Sequence, residues 1–327
     1  MDRHAIQLIS RGAINKIGNM LYDYGNSVWL ASMGTIGQTV LGIYQISELV
    51  TSILVNPFGG VISDRFSRRK ILMTTDLICG ILCLAISFIV LQFASLHMTL
   101  VLDVISFFIA FILVALLPKK ETQEQEKKTF SWRNIFADMK EGLAYIWHQQ
   151  EIFFLLIVAS SVNFFFAAFE FLLPFSNRLY GVEGAYASIL TMGAIGSIIG
   201  ALLASKIKAS VYNLLILLAL TGVGVFMMGL PLPTFLSFSG NLVCELFMTI
   251  FNIHFFTQVQ TKVKGEYLGR VLSTIFTLAI LFMPIAKGFM TVLPSVHLSS
   301  FLIIGSGVIA LSCLSLVYVR SHFKKEL

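Results

Sequence analysis

The chain has 327 residues, of which 57% are hydrophobic and 12% are charged, and its mean hydropathy is +0.85. Soluble domains carry about 45–50% apolar and about 25% charged residues, so this composition argues against a water-soluble enzyme and a disordered chain. The net charge of +6 would suit a nucleic-acid-binding protein, but the positions of the basic residues do not.

Long apolar runs occupy most of the chain. A membrane-spanning helix needs about 20 mostly apolar residues. Runs without alternating polarity, such as 86–93 and 107–117, predict helices rather than the strands of a barrel. The first two predicted spans are separated near Gly37. The sequence predicts ten spans, at about 15–36, 38–62, 71–94, 99–117, 151–174, 184–205, 211–230, 233–256, 270–292 and 298–319.

The basic residues predict the orientation of these spans. With ten spans, 21 of the 23 lysines and arginines fall on one side, and the exceptions are Arg178 and Lys287. Cytoplasmic loops are enriched in Lys and Arg, so both termini are expected in the cytoplasm of a multi-pass plasma-membrane protein. The positive charge is therefore interpreted as a topology signal, and no nucleic-acid partner is expected. Lys287 lies near the outer end of its span, where a lysine could snorkel towards water.

The spans predict two halves and a connecting segment. Residues 1–118 form a four-helix N-terminal half, 119–150 a cytoplasmic linker, and 151–327 a six-helix C-terminal half. In the linker, apolar residues recur at near-helical spacing from Trp132 to Trp147, which indicates an amphipathic helix at the membrane interface. A helix that binds a partner protein is the alternative.

One loop carries the most specific motif. Residues 59–70 read GGVISDRFSRRK and join the second and third spans. A glycine lets two helices approach closely, and an aspartate beside four basic residues can act as a charged latch. An ordinary positively charged loop is the alternative interpretation.

This loop resembles the cytoplasmic signature of the major facilitator superfamily, Gly-x-x-x-Asp-Arg-x-Gly-Arg-Arg, with Ser67 at the second glycine. Residues 71–77 and 264–273 are similar to the macrolide-efflux and enterobactin-exporter branch. The resemblance implies an all-α polytopic membrane protein, a major-facilitator-like helical bundle. It also implies a cytoplasmic gate formed by Gly60, Asp64, Arg65, Arg68, Arg69, Asp76, Gly269 and Arg270.

The resembled family has twelve helices, and this chain predicts ten. Span 71–94 leads through residues 95–98 directly into 99–117, which resembles the family's sixth helix. The equivalents of the fourth and fifth helices, including an arginine implicated in coupling, are therefore expected to be missing. A second copy of the chain or another partner chain would then replace them.

Polar residues within three spans predict a solute path. Such residues are costly in lipid and usually face a cavity or a partner. Their spacing places each group on one helix face. A carboxylate in such a cavity can also bind and release a proton. Structural contacts between helices are the alternative. In the resembled fold these three helices line the central path. The candidates are Asn19, Asp23 and Asn26, then Asn163 and Glu170, then Asn241 and Glu245.

Taken together, the sequence predicts a secondary active transporter, a proton-coupled exporter of drugs or other small amphipathic solutes, without cofactors. The four cysteines lie in apolar runs and the histidines lack metal-ligand spacing, so no metal site is expected. Neither a nucleophile–base pair nor a phosphate-binding loop suggests an enzyme. A non-transporting shortened relative, regulatory or degenerate, and a lipid-handling protein are the alternatives.

The topology is testable by labelling. In a variant without the four native cysteines, a cysteine introduced near Arg178 should react with a membrane-impermeant maleimide added outside intact cells. Labelling from the cytoplasmic side alone would refute the ten-span topology.

Overall fold

A computed structural model describes residues 22–65, 72–79, 81, 108–109, 112, 132–293 and 295–322. The described part of the chain is almost entirely helical, and two 3-10 turns continue helices at Leu173–Phe175 and Ala204–Lys206. Among the described residues, three helices precede the linker: α1 (22–32), α2 (Gly34–Arg65) and α3 (72–79). The others are α4 (Trp132–His148), α5 (Gln150–Leu172), α6 (Ser176–Tyr180), α7 (Ala185–Leu203), α8 (Val211–Met228), α9 (Thr234–Lys262), α10 (Gly265–Ile280), α11 (Met283–Val292) and α12 (Ser299–His322).

Seven segments of the described chain are long and apolar enough to cross a membrane. Six of them agree with the six predicted C-terminal spans, and the seventh with the predicted second span. The predicted junction at 95–98 lies outside the described residues, so the total of ten spans and the two missing helices stay predictions. The segments are Gly34–Val55, Gln150–Tyr180, Ala185–Lys206, Val211–Met228, Thr234–Lys262, Tyr267–Val292 and Ser299–Ser321.

The first break differs slightly from its predicted position. The helix runs through Gly37, and the interruption lies at Met33 and Gly34, where Gly34 has φ = 68°. The Met33 amide donates to the Leu30 carbonyl at 3.0 Å and closes the last turn of α1. A glycine adopts the left-handed backbone conformation with little loss of free energy because it lacks a Cβ. The left-handed Gly34 therefore separates α1 from α2, whereas the helix continues through Gly37.

The chain forms two compact units. The first comprises Met1–Gly34 and Phe58–Trp132, and the second comprises Thr35–Pro57 and Arg133–Leu327. In the second unit α5 packs against α10, α11 and α12, while α9 packs against both α7 and α8, and α8 against α12. The segment 35–57 of α2 thus clusters with the C-terminal helices, whereas the predicted division placed it in the N-terminal half.

Close backbone approach holds α8 against α9. A Cβ added at Gly224 would lie 2.6 Å from the Gly240 carbonyl oxygen and 2.5 Å from the Cys244 nitrogen. Without such an atom the two backbones can touch. In lipid, where water does not drive apolar surfaces together, this contact contributes much of the packing energy.

One buried amide joins α2 to the end of α11 within the second unit. Gln38 is 2% exposed, and its Nε2 donates to the carbonyls of Met290 and Leu293 at 3.1 and 3.0 Å. Four residues further along α2, Gly42 lies directly against Thr291. The first turns of α2 are therefore fixed to the last turn of α11.

A methyl group at the α8–α9 contact should weaken the fold. Gly224→Ala is expected to destabilise the protein by about 1–3 kcal/mol, because backbone atoms cannot move aside as a flexible side chain can. Thermal unfolding in detergent measures the difference. The matched control is Gly288→Ala, whose added Cβ would lie at an ordinary contact distance, 3.8 Å, from Ile46 Cδ1. Equal unfolding temperatures for the two variants would contradict this packing.

Candidate functional site

A buried lysine and a glutamate form an ion pair between α11 and α5. Lys287 is 7% exposed, and its Nζ lies 3.5 Å from Glu170 Oε2. About half of the Glu170 side chain, 51%, remains exposed. Lys287 therefore does not snorkel to water. Its ammonium group turns instead to the nearest carboxylate, because a cation within a span requires a partner.

A second carboxylate lies beside this pair. Glu245 of α9 accepts a hydrogen bond from the Ser197 hydroxyl of α7 at 3.3 Å, and it interacts electrostatically with Glu170. Gly193 makes room for it, since a Cβ there would lie 3.1 Å from Glu245 Cγ. An ion pair thus joins α5 to α11, and a second carboxylate on α9 interacts electrostatically with its acidic member. We call Glu170, Glu245 and Lys287 the charged cluster.

The two candidate asparagines nearby bind backbone carbonyls. Asn163 Nδ2 donates to Ala279 of α10 at 2.9 Å, and Asn241 Nδ2 donates to Ile189 of α7 at 2.8 Å. Asn241 is 2% exposed, and its Oδ1 has no partner in the described part of the chain. Their amide groups therefore make structural contacts between helices. Whether these residues also line a path stays a prediction.

The N-terminal path candidates belong to the first unit. Asn19 lies outside the described residues. On α1, Asp23 is exposed and Asn26 is buried, at 8% exposure. The path candidates on α5 and α9 therefore belong to the same compact unit. Those on α1 belong to the other unit.

The gate motif is described in part. Gly60, Asp64 and Arg65 lie in the last turns of α2, and their side chains are outside the described residues, as are Arg68 and Arg69. The predicted latch between Asp64 and the basic residues therefore remains a prediction. Asp76 of α3 is buried, at 2% exposure, and makes polar contacts.

The gate residue Arg270 contacts the linker helix. Its guanidinium donates to Glu141 of α4 at 2.6 Å. The ring of Tyr145, one turn later, stacks on Tyr267 with centroids 5.1 Å apart. Gly142 sits between them, because a Cβ there would lie 2.9 Å from the Arg270 carbonyl oxygen. Gly269 is exposed and faces open space.

Sequence reasoning missed this contact. A helix occupies Trp132–His148, where the sequence predicts the amphipathic helix, and Trp147 is 64% exposed while the adjacent Ile146 is 1% exposed. Glu141 and Tyr145 stand four residues apart, so they share one face of the helix, which was the available signal. The placement of α4 at a membrane interface stays a prediction.

The described residues include no group of three or more His, Cys, Asp or Glu side chains arranged to hold a metal ion. Within the charged cluster, Glu170 has Lys287 as its cationic neighbour. Carboxylates in such a position can in general bind a cation or a proton.

Comparisons with known proteins point to one family. A family model of the Major Facilitator Superfamily matches residues 86–281. Macrolide efflux protein A of Enterococcus faecalis and Macrolide efflux protein A of Streptococcus pyogenes are each 30% identical over 205 residues, which is 58% of this chain. The match covers 61% of the first relative and 48% of the second, so the chain spans about half to three fifths of their length.

A solved structure shares the fold. The crystal structure of a single-substitution mutant of the nucleoside transporter NupG has a TM-score of 0.61 to this chain. The superposition covers 93% of this chain and 99% of the other, at 11% sequence identity. At that identity the likeness concerns the helical fold alone.

The ion pair between Lys287 and Glu170 should stabilise the fold, so the effects of mutating its two members should be coupled. Glu170→Gln leaves the buried Lys287 ammonium without its carboxylate, and we expect a loss of about 1 kcal/mol, limited by the exposure of Glu170. The double variant with Lys287→Met removes the unpaired charge and should recover part of the loss. Unfolding in detergent, followed for both singles and the double, measures the coupling. If the double variant loses as much stability as the two single variants together, the ion pair is contradicted.

Proposed function

The chain belongs to the major facilitator superfamily, a family of membrane transporters and not of enzymes, and on this basis we propose that it is a secondary active exporter. We propose further that protons drive export by alternating access, and that the solutes are drugs or other small amphipathic molecules. As a multi-pass membrane protein it acts within the lipid bilayer.

The charged cluster is the observation that carries the proposal of proton coupling. Lys287 neutralises Glu170 at 3.5 Å, and Glu245 is held beside them by Ser197. Lys287 pairs with Glu170, whereas Glu245 forms no ion pair among the described residues. A proton or a cationic solute can bind at either carboxylate, and at Glu170 it would compete with Lys287 for the same oxygens.

This competition couples the two cargoes. When a proton occupies Glu170, Lys287 loses its partner and the contact between α5 and α11 weakens. When the proton leaves, the ion pair forms again. The first turns of α2 are fixed to the end of α11 through Gln38, so a shift of α11 would reach a helix of the resembled N-terminal half. A ligand that favours one arrangement shifts the population towards it.

The class of solute rests on the relatives. Two proteins named Macrolide efflux protein A match 58% of this chain. Exposed carboxylate surface at Glu170 suits a solute that carries a cationic amine on an apolar body. We therefore propose macrolide-type amphipathic cations as the first solutes to test.

The linker helix supplies a further contact in this proposal. Arg270 lies within the resembled branch motif and pairs with Glu141, and the predicted gate contains further basic residues at 65–69. Contacts of this kind can form in one conformation and break in the other, which would make α4 part of the cytoplasmic gate.

Export should depend on the proton gradient and on the charged cluster. Cells that express the chain are expected to accumulate less of a macrolide than cells with an empty vector, and a protonophore should remove the difference. Glu170→Gln and Lys287→Met should each lower the export rate about tenfold. This factor corresponds to raising the free-energy barrier of one step of the transport cycle by about 1.4 kcal/mol. Uptake of a labelled macrolide measures both results.

The matched control is Glu183→Gln. This glutamate is exposed in the loop between α6 and α7, so its loss should leave export unchanged. Absence of export despite stable insertion in the membrane would contradict the exporter and favour a non-transporting relative. Export that continues in the presence of the protonophore would contradict proton coupling but not the exporter itself.

A further inference from the structure

One side of the linker helix α4 is packed against α10. A Cβ added at Gly142 would lie 2.9 Å from the Arg270 carbonyl oxygen, and the ring of Tyr145 stacks on that of Tyr267. Ile146, one turn after Gly142, is 1% exposed. Residues three or four positions apart share one side of a helix. This side of α4 is therefore covered by protein.

The opposite side of α4 is exposed and mainly apolar. Leu143 is 40% exposed and Trp147 is 64% exposed, and Lys140 is exposed as well. Their spacing of three and four residues places them in one row along the helix. We call this row, Lys140, Leu143 and Trp147, the outer stripe. The apolar residues of α4 thus divide between two sides, since Ile146 faces protein and Trp147 does not.

The outer stripe continues onto a membrane-spanning helix. The ring of Trp147 lies 4.7 Å from the ring of Phe153, measured between centroids. Phe153 stands near the start of the spanning segment Gln150–Tyr180, and Ile157, one turn further on the same face, is 49% exposed. An exposed apolar face of a spanning helix is the face that meets lipid. Trp147 therefore lies at the depth where α5 enters the membrane, on its lipid-facing side.

A bend separates α4 from α5 at this depth. Gln149, between the two helices, has φ = −99° and ψ = 78°, which is not a helical conformation. Its amide donates to the Ile146 carbonyl at 2.9 Å and closes the last turn of α4. The linker helix is therefore not a straight continuation of the span, and a helix that leaves a span at a bend can lie along the membrane surface.

The headgroup region of a bilayer matches the outer stripe residue by residue. Tryptophan is favoured at headgroup depth, and the apolar face of an interfacial helix inserts about 5–10 Å, to the boundary with the acyl chains. The stem of Lys140 can lie along this boundary while its ammonium group reaches the lipid phosphates. A protein partner would also cover Leu143 and Trp147, but it would not account for the contact of Trp147 with the lipid-facing side of α5.

We propose that the outer stripe binds the surface of the lipid bilayer beside α5. Leu143 and Trp147 insert between the headgroups, and Lys140 binds the lipid phosphates. The membrane and α10 then hold opposite sides of α4, so the lipid contact stabilises Glu141 in its position beside Arg270. This interaction does not depend on the proposed export.

Tryptophan fluorescence tests the proposal directly. The chain has three tryptophans, so Trp29→Phe with Trp132→Phe leaves Trp147 as the one emitter. This full-length variant is reconstituted in phosphatidylcholine vesicles. Lipids brominated near the glycerol end of the acyl chains should quench the emission more strongly than lipids brominated at the chain ends, because Trp147 lies at headgroup depth. Acrylamide dissolved in the water should quench it weakly.

The matched control moves the ring by one residue. It combines Trp147→Phe with His148→Trp in the same background, since His148 is exposed but lies off the outer stripe. We expect stronger quenching by acrylamide and weaker quenching by the brominated lipids than for Trp147. The elution volume in gel filtration verifies that each variant is folded.

Three results would overturn the proposal. Equal quenching of the two variants by both agents would overturn the assignment to the outer stripe. Strong quenching of Trp147 by acrylamide, without quenching by brominated lipids, would place the ring in water. Quenching by neither agent would show that protein, such as a second copy of the chain, covers Trp147 instead of lipid.

Discussion

A charge inside a lipid bilayer needs a partner from the protein, and the arrangement of α5, α9 and α11 follows from this constraint. Lys287 is 7% exposed in an otherwise apolar helix, so it can remain charged only beside a carboxylate. Glu170 supplies that carboxylate and thereby fixes α11 to α5. Glu245 of α9 interacts electrostatically with Glu170 and extends the cluster to a third helix.

The surrounding helices are held by contacts that do not depend on charge. Asn163, Asn241 and Gln38 each donate to backbone carbonyls of a neighbouring helix, and Gly224 allows α8 to touch α9. Hydrogen bonds to backbone and close packing stabilise helix pairs in lipid, where water does not drive association. These contacts hold α7, α8, α9 and α10 in place without any charged side chain.

The linker helix has a separate set of contacts. It meets α10 through Glu141, Tyr145 and Gly142. Because α4 is followed directly by α5, these contacts also fix the start of the helix that carries Glu170.

Hydropathy and charge along the chain determined the membrane class, the six C-terminal spans, the linker helix and the family motif, because these properties are local. The break at Gly34 was predicted at Gly37, since both are glycines and the backbone angle alone distinguishes them. The sequence placed Asn163 and Glu170 on one helix face, yet it indicated no partner for either. Only the tertiary structure decided that Lys287 turns inward to Glu170, that Asn163 binds the Ala279 carbonyl, and that Arg270 meets Glu141. Helical periodicity fixes which residues share a face, whereas the choice of neighbouring helix depends on packing between segments far apart in the chain.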